Sequence, residues 1–396
     1  MSRVVEVSRR QFLGSTAAAG LALTALGESV AQESKWIRTS DKKIHIGVVG
    51  GRFGLAWHWH EHPNCVVEAV SDLLPDRRDQ LMRKYRCSKS YESLERLVLD
   101  PKIDAVAVFT PAPDHARHVK VCMEHGKHVI CACPACLTLD EAAELKEVKE
   151  RTGKTYMSAE TSWFRWETIA ARELLQGGTF GEMVYCEAEY YHPGIGRADD
   201  ALSWLNGERT WRYGYPPMLY PTHCTAFLVG VTGERLRHVS SVGTADPAEP
   251  SMKNNDYANP FMNGMGMFTT DTGKPFRCNV AWDIHAHGER AQWFGRRAAL
   301  YMAGPARQPF ALREEGDTST PTPDYWHRVP DAMRYDSGHG RSHPFITNEF
   351  ITALLEEREP AIDLYESLAL CVPGIVAHAS SLKDGERLPI PGFEPA

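Results

Sequence analysis

The chain has 396 residues, of which 43% are hydrophobic and 24% charged, and its formal net charge is −7 at pH 7. This length exceeds what one ordinary compact core accommodates, so two domains are expected. The acidic balance gives no broad electrostatic attraction for nucleic acid or anionic lipid, and neither is predicted as a partner.

Residues 1–31 have the pattern of an export signal. Arg9 and Arg10 precede an apolar run at 14–26, and the small residues Ser29 and Ala31 suit a signal peptidase. The pattern resembles a twin-arginine signal. It predicts the twin-arginine translocase as a partner, cleavage after Ala31, no stable membrane span afterwards, and a periplasmic or extracytoplasmic location. The alternative is an uncleaved anchor.

After a polar linker at 32–42, short buried strands alternate with helical segments. Strands are predicted at 43–49, 66–70, 105–109 and 128–131, and helices at 54–62, 76–85 and 115–125. This alternation is typical of a parallel, doubly wound sheet. Residues 43–165 are therefore assigned to an α/β Rossmann domain.

The texture of the sequence changes at residue 166. A helix is predicted at 166–175, followed by long strand-like segments, loops rich in Gly, Pro and Asn, and two further helices at 344–356 and 364–382. Residues 166–396 are therefore assigned to an α+β domain with an open antiparallel sheet.

The first strand runs into a glycine turn, and a carboxylate follows the second strand. Gly50, Gly51, Arg52 and Phe53 form the turn, and Asp72 lies at the spacing expected for a ribose-binding acid. Because a carboxylate repels the 2′-phosphate of NADP, NAD is preferred. Arg52 stands where the dinucleotide motif has its second glycine, so either the turn is shifted or cofactor binding is weakened. The alternative for Asp72 is a helix N-cap.

Further motifs resemble the glucose-fructose oxidoreductase and inositol dehydrogenase family, often called Gfo/Idh/MocA. The likeness spans residue 43 to the C-terminus and includes the segments at 104–111 and 126–129. It implies that the cofactor lies along the end of the fourth strand. The cofactor-binding residues that follow from the turn and from this likeness are Gly50, Gly51, Arg52, Phe53, Asp72, Arg77, Thr110, Pro111, His115, Cys133, Pro134 and Glu160.

The sequence departs from the family at the site where a lysine usually positions the reacting carbinol. Here the triplet reads Ala132, Cys133, Pro134, and a thiol does not reproduce a cation. This departure, together with residues 156–160 and 219–223, resembles the NAD-dependent glycosidase branch typified by α-N-acetylgalactosaminidases. That branch oxidises the sugar, eliminates the aglycone, adds water and returns the hydride, instead of using a carboxylate pair.

The resemblance to this branch implies a role for each of several residues. His223 and Tyr220 are the leading acid/base candidates, Tyr190 and His192 act near the sugar ring, and Glu160 holds substrate or cofactor ribose. Structural alternatives are a helix cap for His223 or Glu160, a packing role for Tyr220, and core and rim positions for Tyr190 and His192.

Two other clusters invite a metal interpretation. Cys131, Cys133 and Cys136 form a C-x-C-x-x-C pattern, but no fourth ligand is evident. His285, His287 and Glu289 would share one face of a strand and bind zinc or line a sugar pocket. Neither cluster is strong enough, so no metal site is predicted.

Three functions remain in competition. The first is an NAD(P)-dependent oxidoreductase-family enzyme that acts on a sugar, polyol or glycoside, either by net oxidation or by redox-neutral cleavage with captive NAD. The second is a non-catalytic dinucleotide- or sugar-binding protein, for which Arg52 and Cys133 are the best evidence. The third is a metal-dependent hydrolase that uses the histidines. The family resemblance also implies that the domain at 166–396 binds the substrate and that the chain assembles into a homo-oligomer through the sheet of this domain.

Overall fold

The computed structural model describes residues 36–37, 40–304 and 308–395. The predicted export signal at 1–31 and its cleavage site lie outside these residues. Within the described part of the chain, no helix combines the length and apolarity that a membrane crossing requires.

The first domain is a six-stranded sheet in which every pair of neighbours is parallel. Its strands are β1 (Ile44–Val49), β2 (Cys65–Ser71), β3 (Ser90–Tyr91), β4 (Ala105–Val108), β5 (His128–Cys131) and β6 (Tyr156–Ser158). The order is β3-β2-β1-β4-β5-β6, a doubly wound arrangement whose switch point lies between β1 and β4. The predicted Rossmann fold is therefore confirmed.

The helices of this domain are α1 (Pro75–Tyr85), α2 (Leu94–Leu97), α3 (His115–Glu124) and α4 (Leu139–Thr152). The limits of α4 illustrate the local chemistry. Thr138 and Glu141 form a reciprocal capping box at its start, and Gly153, with φ +63°, ends it in the left-handed region.

The predicted helix at 54–62 is wrong. The chain forms two short 3₁₀ turns instead, Phe53–Ala56 and Trp59–Glu61, with Trp57 extended between them. Trp57 and Trp59 are both fully buried and stack at 5.5 Å. Because residues two apart point to different sides of an α-helix, a helix would bury only one of them. Burial of both indoles thus overrides the helical pattern.

The second domain contains a nine-stranded sheet with the order β16-β15-β14-β13-β7-β12-β11-β10-β17. Its strands, together with a small ribbon of β8 and β9, are β7 (Met183–Tyr191), β8 (Trp204–Leu205), β9 (Glu208–Arg209), β10 (Leu236–Thr244), β11 (Asn263–Thr270), β12 (Pro275–Ala281), β13 (Gly288–Gly295), β14 (Ala298–Tyr301), β15 (Ala311–Glu314), β16 (Asp317–Ser319) and β17 (Leu388–Pro389). The predicted open sheet is present, but β7 and β12 pair in parallel, so the sheet is mixed.

Four longer helices complete the domain: α5 (Trp166–Gln176), α6 (Thr222–Thr232), α7 (Ser342–Glu356) and α8 (Leu364–Ser381). Short 3₁₀ turns occur at Ala112–Asp114, Thr161–Phe164, Ala201–Ser203, Pro217–Leu219, Pro250–Met252, Trp326–Arg328 and Asp331–Met333. Helix α6 is buried along nearly its whole length. A helix that is apolar all round belongs in a core, and α6 accordingly packs against β7, β12 and β13.

Helix α7 belongs to the second domain in sequence but packs on the first. Its apolar residues Ile346, Phe350, Ile351 and Leu354 join the same buried cluster as β1 and the two tryptophans. His343 of α7 stacks on Trp57 at 4.4 Å between ring centroids. The two domains therefore share a hydrophobic core across their boundary.

Candidate active site

The glycine turn after β1 has room for backbone only. Gly50 has φ +103°, and a Cβ there would lie 2.2 Å from the carbonyl oxygen of Phe109. A Cβ on Gly51 would lie 2.7 Å from Cβ of Arg77, on the first turn of α1. Such a tight turn at the switch point fits the close backbone approach that a dinucleotide requires.

Asp72 holds this turn in place. Its Oδ2 accepts a hydrogen bond from the backbone N–H of Gly51 at 2.6 Å, and its Oδ1 accepts from the N–H of Leu74 at 2.8 Å. The residue at the N-cap of α1 is Leu74, which makes no side-chain capping bond. Asp72 is thus not the N-cap of α1, and its carboxylate lies at the end of β2, where an acid can meet ribose hydroxyls.

Arg52 does not occupy the tight part of the turn, because its side chain is exposed. The pKa of Arg52 is lowered, first by partial burial of its guanidinium group and then by the nearby positive charges of Arg212 and Arg77. Three cations thus converge beside the glycine turn. Neighbouring Phe53 packs edge-on against Phe109 at 5.3 Å and against His339 of the second domain at 5.9 Å.

His115 joins two loops at the carboxyl end of the sheet. Its ring nitrogens lie 2.8 Å from the carbonyl oxygens of Thr110 and Pro134, and the ring is buried. Thr110 also bonds through its hydroxyl to His118 at 2.8 Å, whereas Pro111 is exposed beside it. His115 therefore positions the two loops, while Pro111 stays exposed just after the end of β4.

Glu160 and His223 form a buried pair where the two domains meet. Oε1 of Glu160 lies 2.7 Å from Nδ1 of His223, and neither side chain is more than 5% exposed. Burial opposes charge on both, but their mutual attraction and hydrogen bonding prevail, so that the pKa of Glu160 is lowered and the pKa of His223 is raised. The pair is ionic.

A helix cap was the structural alternative for both Glu160 and His223, and only Glu160 has a capping role. Oε1 of Glu160 also accepts from the N–H of Ser162 at 2.8 Å, which caps the turn Thr161–Phe164. His223 lies in the first turn of α6, whose N-cap, Pro221, makes no side-chain bond. Glu160 thus caps a turn while it pairs with His223, and His223 has no capping role.

A second ion pair supports the first. Ser162 Oγ lies 3.2 Å from Nδ1 of His223 and donates to Oε2 of Glu289 at 2.5 Å. Arg165 in turn donates to both carboxylate oxygens of Glu289. Burial raises the pKa of Glu289, but the charges of Arg165 and His223 outweigh it and lower the pKa to about 2. Sequence reasoning missed Ser162 and Arg165 as site residues, because their shared partner, Glu289, lies more than 120 residues further along the chain.

Aromatic rings surround the imidazole of His223. Tyr190 lies 4.6 Å from it and Tyr220 5.2 Å from it between ring centroids, and the two tyrosines lie 5.9 Å from each other. Burial raises the pKa of both tyrosines, so each keeps its hydroxyl proton. His192, on the same side as Tyr190, is 6.2 Å from it, and its Nδ1 is buried without a hydrogen-bond partner.

Two further residues complete the pocket. Cys133 is buried, with Sγ 4.0 Å from the hydroxyl oxygen of Tyr220. Burial, then the charge of Glu160, raises the pKa of Cys133, so it is a neutral thiol beside the pair. Arg212 influences Tyr190, Tyr220 and His192 electrostatically, and its Nη1 is buried without a hydrogen-bond partner. In the chain, Arg212 stands between the aromatic residues Trp211 and Tyr213.

The two suspected metal clusters do not form. Cys136 lies 3.6 Å, sulfur to sulfur, from Cys371 on α8 and is not grouped with Cys131 and Cys133. His285 and His287 are exposed in the loop between β12 and β13, so the expectation that they share a strand face with Glu289 is wrong. Among the described residues, the cysteines are all free thiols.

The fold and the site together define a two-domain α/β protein with a dinucleotide-binding type of Rossmann fold and a buried glutamate–histidine pair at the carboxyl end of its parallel sheet. The family described as "Oxidoreductase family, NAD-binding Rossmann fold" matches residues 44–160. Through this domain the chain is similar to the Gfo/Idh/MocA oxidoreductases. The predicted likeness to this family is confirmed over residues 44–160, and the proteins that the family groups are oxidoreductases.

Relatives and solved structures extend the likeness over the second domain. A Glycosyl hydrolase family 109 protein of Streptomyces coelicolor is 23% identical over 99% of this chain and 95% of its own length. One from Saccharopolyspora erythraea is 25% identical over the same shares. Levoglucosan dehydrogenase in complex with NADH shares the fold with a TM-score of 0.75 at 16% identity, over 89% of this chain and 100% of the other.

Proposed function

We propose that this chain is an NAD-dependent enzyme that cleaves a glycoside without net oxidation, starting from hydride transfer at a ring carbinol. The buried Glu160–His223 pair carries the proposal, because it supplies a proton acceptor and donor at the cofactor end of the site. The whole-length relatives named Glycosyl hydrolase family 109 proteins support the glycosidic reaction.

The dinucleotide fits the residues that would hold it. The backbone cradle of Gly50 and Gly51 and the carboxylate of Asp72 suit its pyrophosphate and ribose, and this carboxylate is the reason to prefer NAD over NADP. A bound nicotinamide supplies reversible hydride acceptance. Arg52 and Arg77 add positive charge beside the turn.

The chain's own side chains move the protons. His223, held by Glu160 and Ser162, is oriented to exchange a proton with the substrate hydroxyl or the adjacent carbon. The neutral hydroxyls of Tyr190 and Tyr220 provide hydrogen bonds to sugar oxygens, and Tyr220 is suited to protonate the departing oxygen. Their rings, together with Trp282, exclude water and offer faces for the apolar side of a sugar.

Net oxidation of a sugar or polyol is the second candidate, and the fold of levoglucosan dehydrogenase favours it. The two reactions separate in one experiment. The purified protein is denatured and any released dinucleotide is identified by mass, and the native protein is then incubated with aryl glycosides while aglycone release and NADH absorbance are recorded together. Aglycone release without accumulated NADH supports cleavage. NADH accumulation without aglycone overturns it in favour of oxidation.

We further infer export by the twin-arginine route and assembly into a homo-oligomer. The arginine pair at residues 9 and 10 supports export, and its replacement by lysines is expected to retain the enzyme in the cytoplasm. The second-domain sheet supports assembly, because Val242, Met265 and Met267 are about half-exposed on adjacent strands, with Val242 opposite Met265. Subcellular fractionation and sedimentation test the two inferences separately.

A further inference from the structure

The loop before α7 carries a histidine to the boundary between the two domains. Between ring centroids, His339 lies 5.9 Å from Phe53 of the glycine turn and 6.4 Å from His223 of the acid/base pair. The glycine turn is where a Rossmann fold holds the pyrophosphate of a dinucleotide, and the acid/base pair is where protons are exchanged. His339 therefore reaches both parts of the site that a bound dinucleotide connects.

The backbone of this loop has an uncommon conformation. His339 has φ +58°, Gly340 has φ +62° and Arg341 has φ +66°, so three consecutive residues lie in the left-handed region. Residues other than glycine rarely adopt it, and they persist there only where the surrounding structure holds them. Here the carbonyl of His339 accepts from the hydroxyl of Ser342 at 2.9 Å, and Arg341 donates to Asp336 at 2.7 Å. The fold thus maintains a costly turn that points His339 toward the site.

The same loop rests on the ion pair that joins the two domains. A Cβ on Gly340 would lie 2.5 Å from Nη1 of Arg165, the residue that pairs with Glu289, so the loop backbone packs directly on the guanidinium. The guanidinium of Arg341 lies over the ring of Trp166, 4.8 Å from its centroid. The position of the loop is therefore fixed relative to the acid/base pair that the Arg165–Glu289 pair supports.

The ring of His339 has hydrogen-bonding capacity that the protein does not use. The residue is exposed, yet the protein around its ring desolvates it and lowers its pKa to about 4, so the ring is neutral at pH 7. A group that solvent reaches while protein surrounds it lies in a cleft. Within residues 36–37, 40–304 and 308–395, neither ring nitrogen has a hydrogen-bond partner. A neutral imidazole offers one donor and one acceptor, and both are free to meet a ligand.

We propose that His339 is a cofactor-binding residue that donates a hydrogen bond to a ribose or pyrophosphate oxygen in the nicotinamide half of the dinucleotide. Its place near both the glycine turn and His223 favours that half, because the adenosine half extends from the turn toward Asp72. The inference rests on the proposed function, since a cofactor that is restored within each turnover has to stay bound. Contact with a loop held this firmly slows the release of the cofactor.

The test compares ligands that share the adenosine half of the dinucleotide. Full-length protein, freed of nucleotide by charcoal treatment, is titrated with NADH, ADP-ribose and AMP by calorimetry, and NADH release is followed by stopped-flow fluorescence. The variant His339→Gly removes the ring without penalising the left-handed backbone. Asp384→Gly is the matched control, because Asp384 is also exposed with a positive φ of 54° but lies beyond α8.

We expect His339→Gly to bind NADH and ADP-ribose about tenfold more weakly and to release NADH about tenfold faster, while AMP binds as in the wild type. Asp384→Gly should match the wild type with all three ligands. Unchanged NADH affinity and release in His339→Gly overturns this inference alone. Equal weakening of AMP, or weakening of NADH without ADP-ribose, also overturns it. A wild type that binds no NADH overturns the proposed function as well.

Discussion

Arg165 donates from Nε and Nη2 to the two carboxylate oxygens of Glu289, across 124 residues of sequence. Arg165 is the last residue assigned to the Rossmann domain, and Glu289 lies near the start of β13 in the open sheet. The pair thereby sets the distance between the element that carries Glu160 and the sheet that carries Tyr190. Such bidentate pairs are geometrically restrictive as well as strong.

The first prediction concerns this pair. Arg165→Met leaves the buried Glu289 carboxylate without its counter-ion, and the free energy of unfolding is expected to fall by about 3–5 kcal/mol. Urea denaturation followed by circular dichroism measures the loss. Arg296→Met, which breaks an exposed pair with Glu182, is the matched control and is expected to leave stability unchanged within error. Equal losses in both variants would contradict the structural role.

The second prediction concerns the acid/base pair. His223→Asn and Glu160→Gln each keep a polar group in place but remove proton exchange, so kcat is expected to fall about 10²- to 10⁴-fold while NAD binding is retained. Steady-state kinetics and titration calorimetry with NAD measure the two properties. His238→Asn, a substitution on the edge-side strand β10, serves as the control. If kcat survives in His223→Asn, the assigned chemistry is incorrect.

The third prediction concerns acid stability. His62 bonds to Asn348 of α7, and burial lowers its pKa from its ordinary value to about 4. The unfolded chain therefore binds more protons than the folded one between pH 6.5 and 4, and stability falls as the pH drops through that window. This histidine alone accounts for about 3 kcal/mol by pH 4.

Denaturation midpoints at several pH values test this account. His62→Gln is expected to flatten the acid slope without abolishing it, because burial also lowers the pKa of His128 and His343. The exposed His125, changed to Gln, should leave the slope as in the wild type. An unaltered slope in His62→Gln would show that the acid sensitivity arises elsewhere.

The fourth prediction concerns cofactor choice. Asp72→Ser removes the carboxylate that accepts from Gly51 and that would repel a 2′-phosphate, so affinity for NAD should drop and the NAD-to-NADP preference should fall at least about tenfold. Fluorescence titration with NADH and NADPH measures both dissociation constants. Asp79→Ser on the exposed side of α1 controls for loss of charge. A fixed ratio in Asp72→Ser would remove Asp72 from the specificity site.

Much of the fold could be predicted because short sequence patterns determine many of its helices and strands. The strands β1, β2, β4 and β5 are short, mainly apolar runs bounded by turns, and the capping box of α4 uses two residues only three positions apart, whereas the short strands β3 and β6 were not predicted. The helix predicted at 54–62 does not form because Trp57 and Trp59 are both buried. Their burial depends on α7, almost 300 residues later in the chain. The parallel pairing of β7 with β12 is likewise set by distant neighbours.

The site was predictable only where the family resemblance supplied it. Glu160, Tyr190, Tyr220 and His223 do come together. Each is unremarkable in its own stretch of sequence, and their meeting depends on how the two domains pack. His115 differs from these residues. The family resemblance predicts that it binds the cofactor, whereas its buried ring bonds to the backbone carbonyls of two loops.

The position of α7 also limits where the chain can be cut when domains are exchanged between related proteins. An exchange of residues 43–165 between relatives would leave Phe350 and Leu354 facing a foreign Rossmann surface, and Trp57 without the imidazole that covers it. The packing unit formed by the first domain and α7 is therefore discontinuous in the sequence. A chimaera that carries α7 together with the first domain should express as soluble protein, whereas one cut only at residue 165 should accumulate in inclusion bodies.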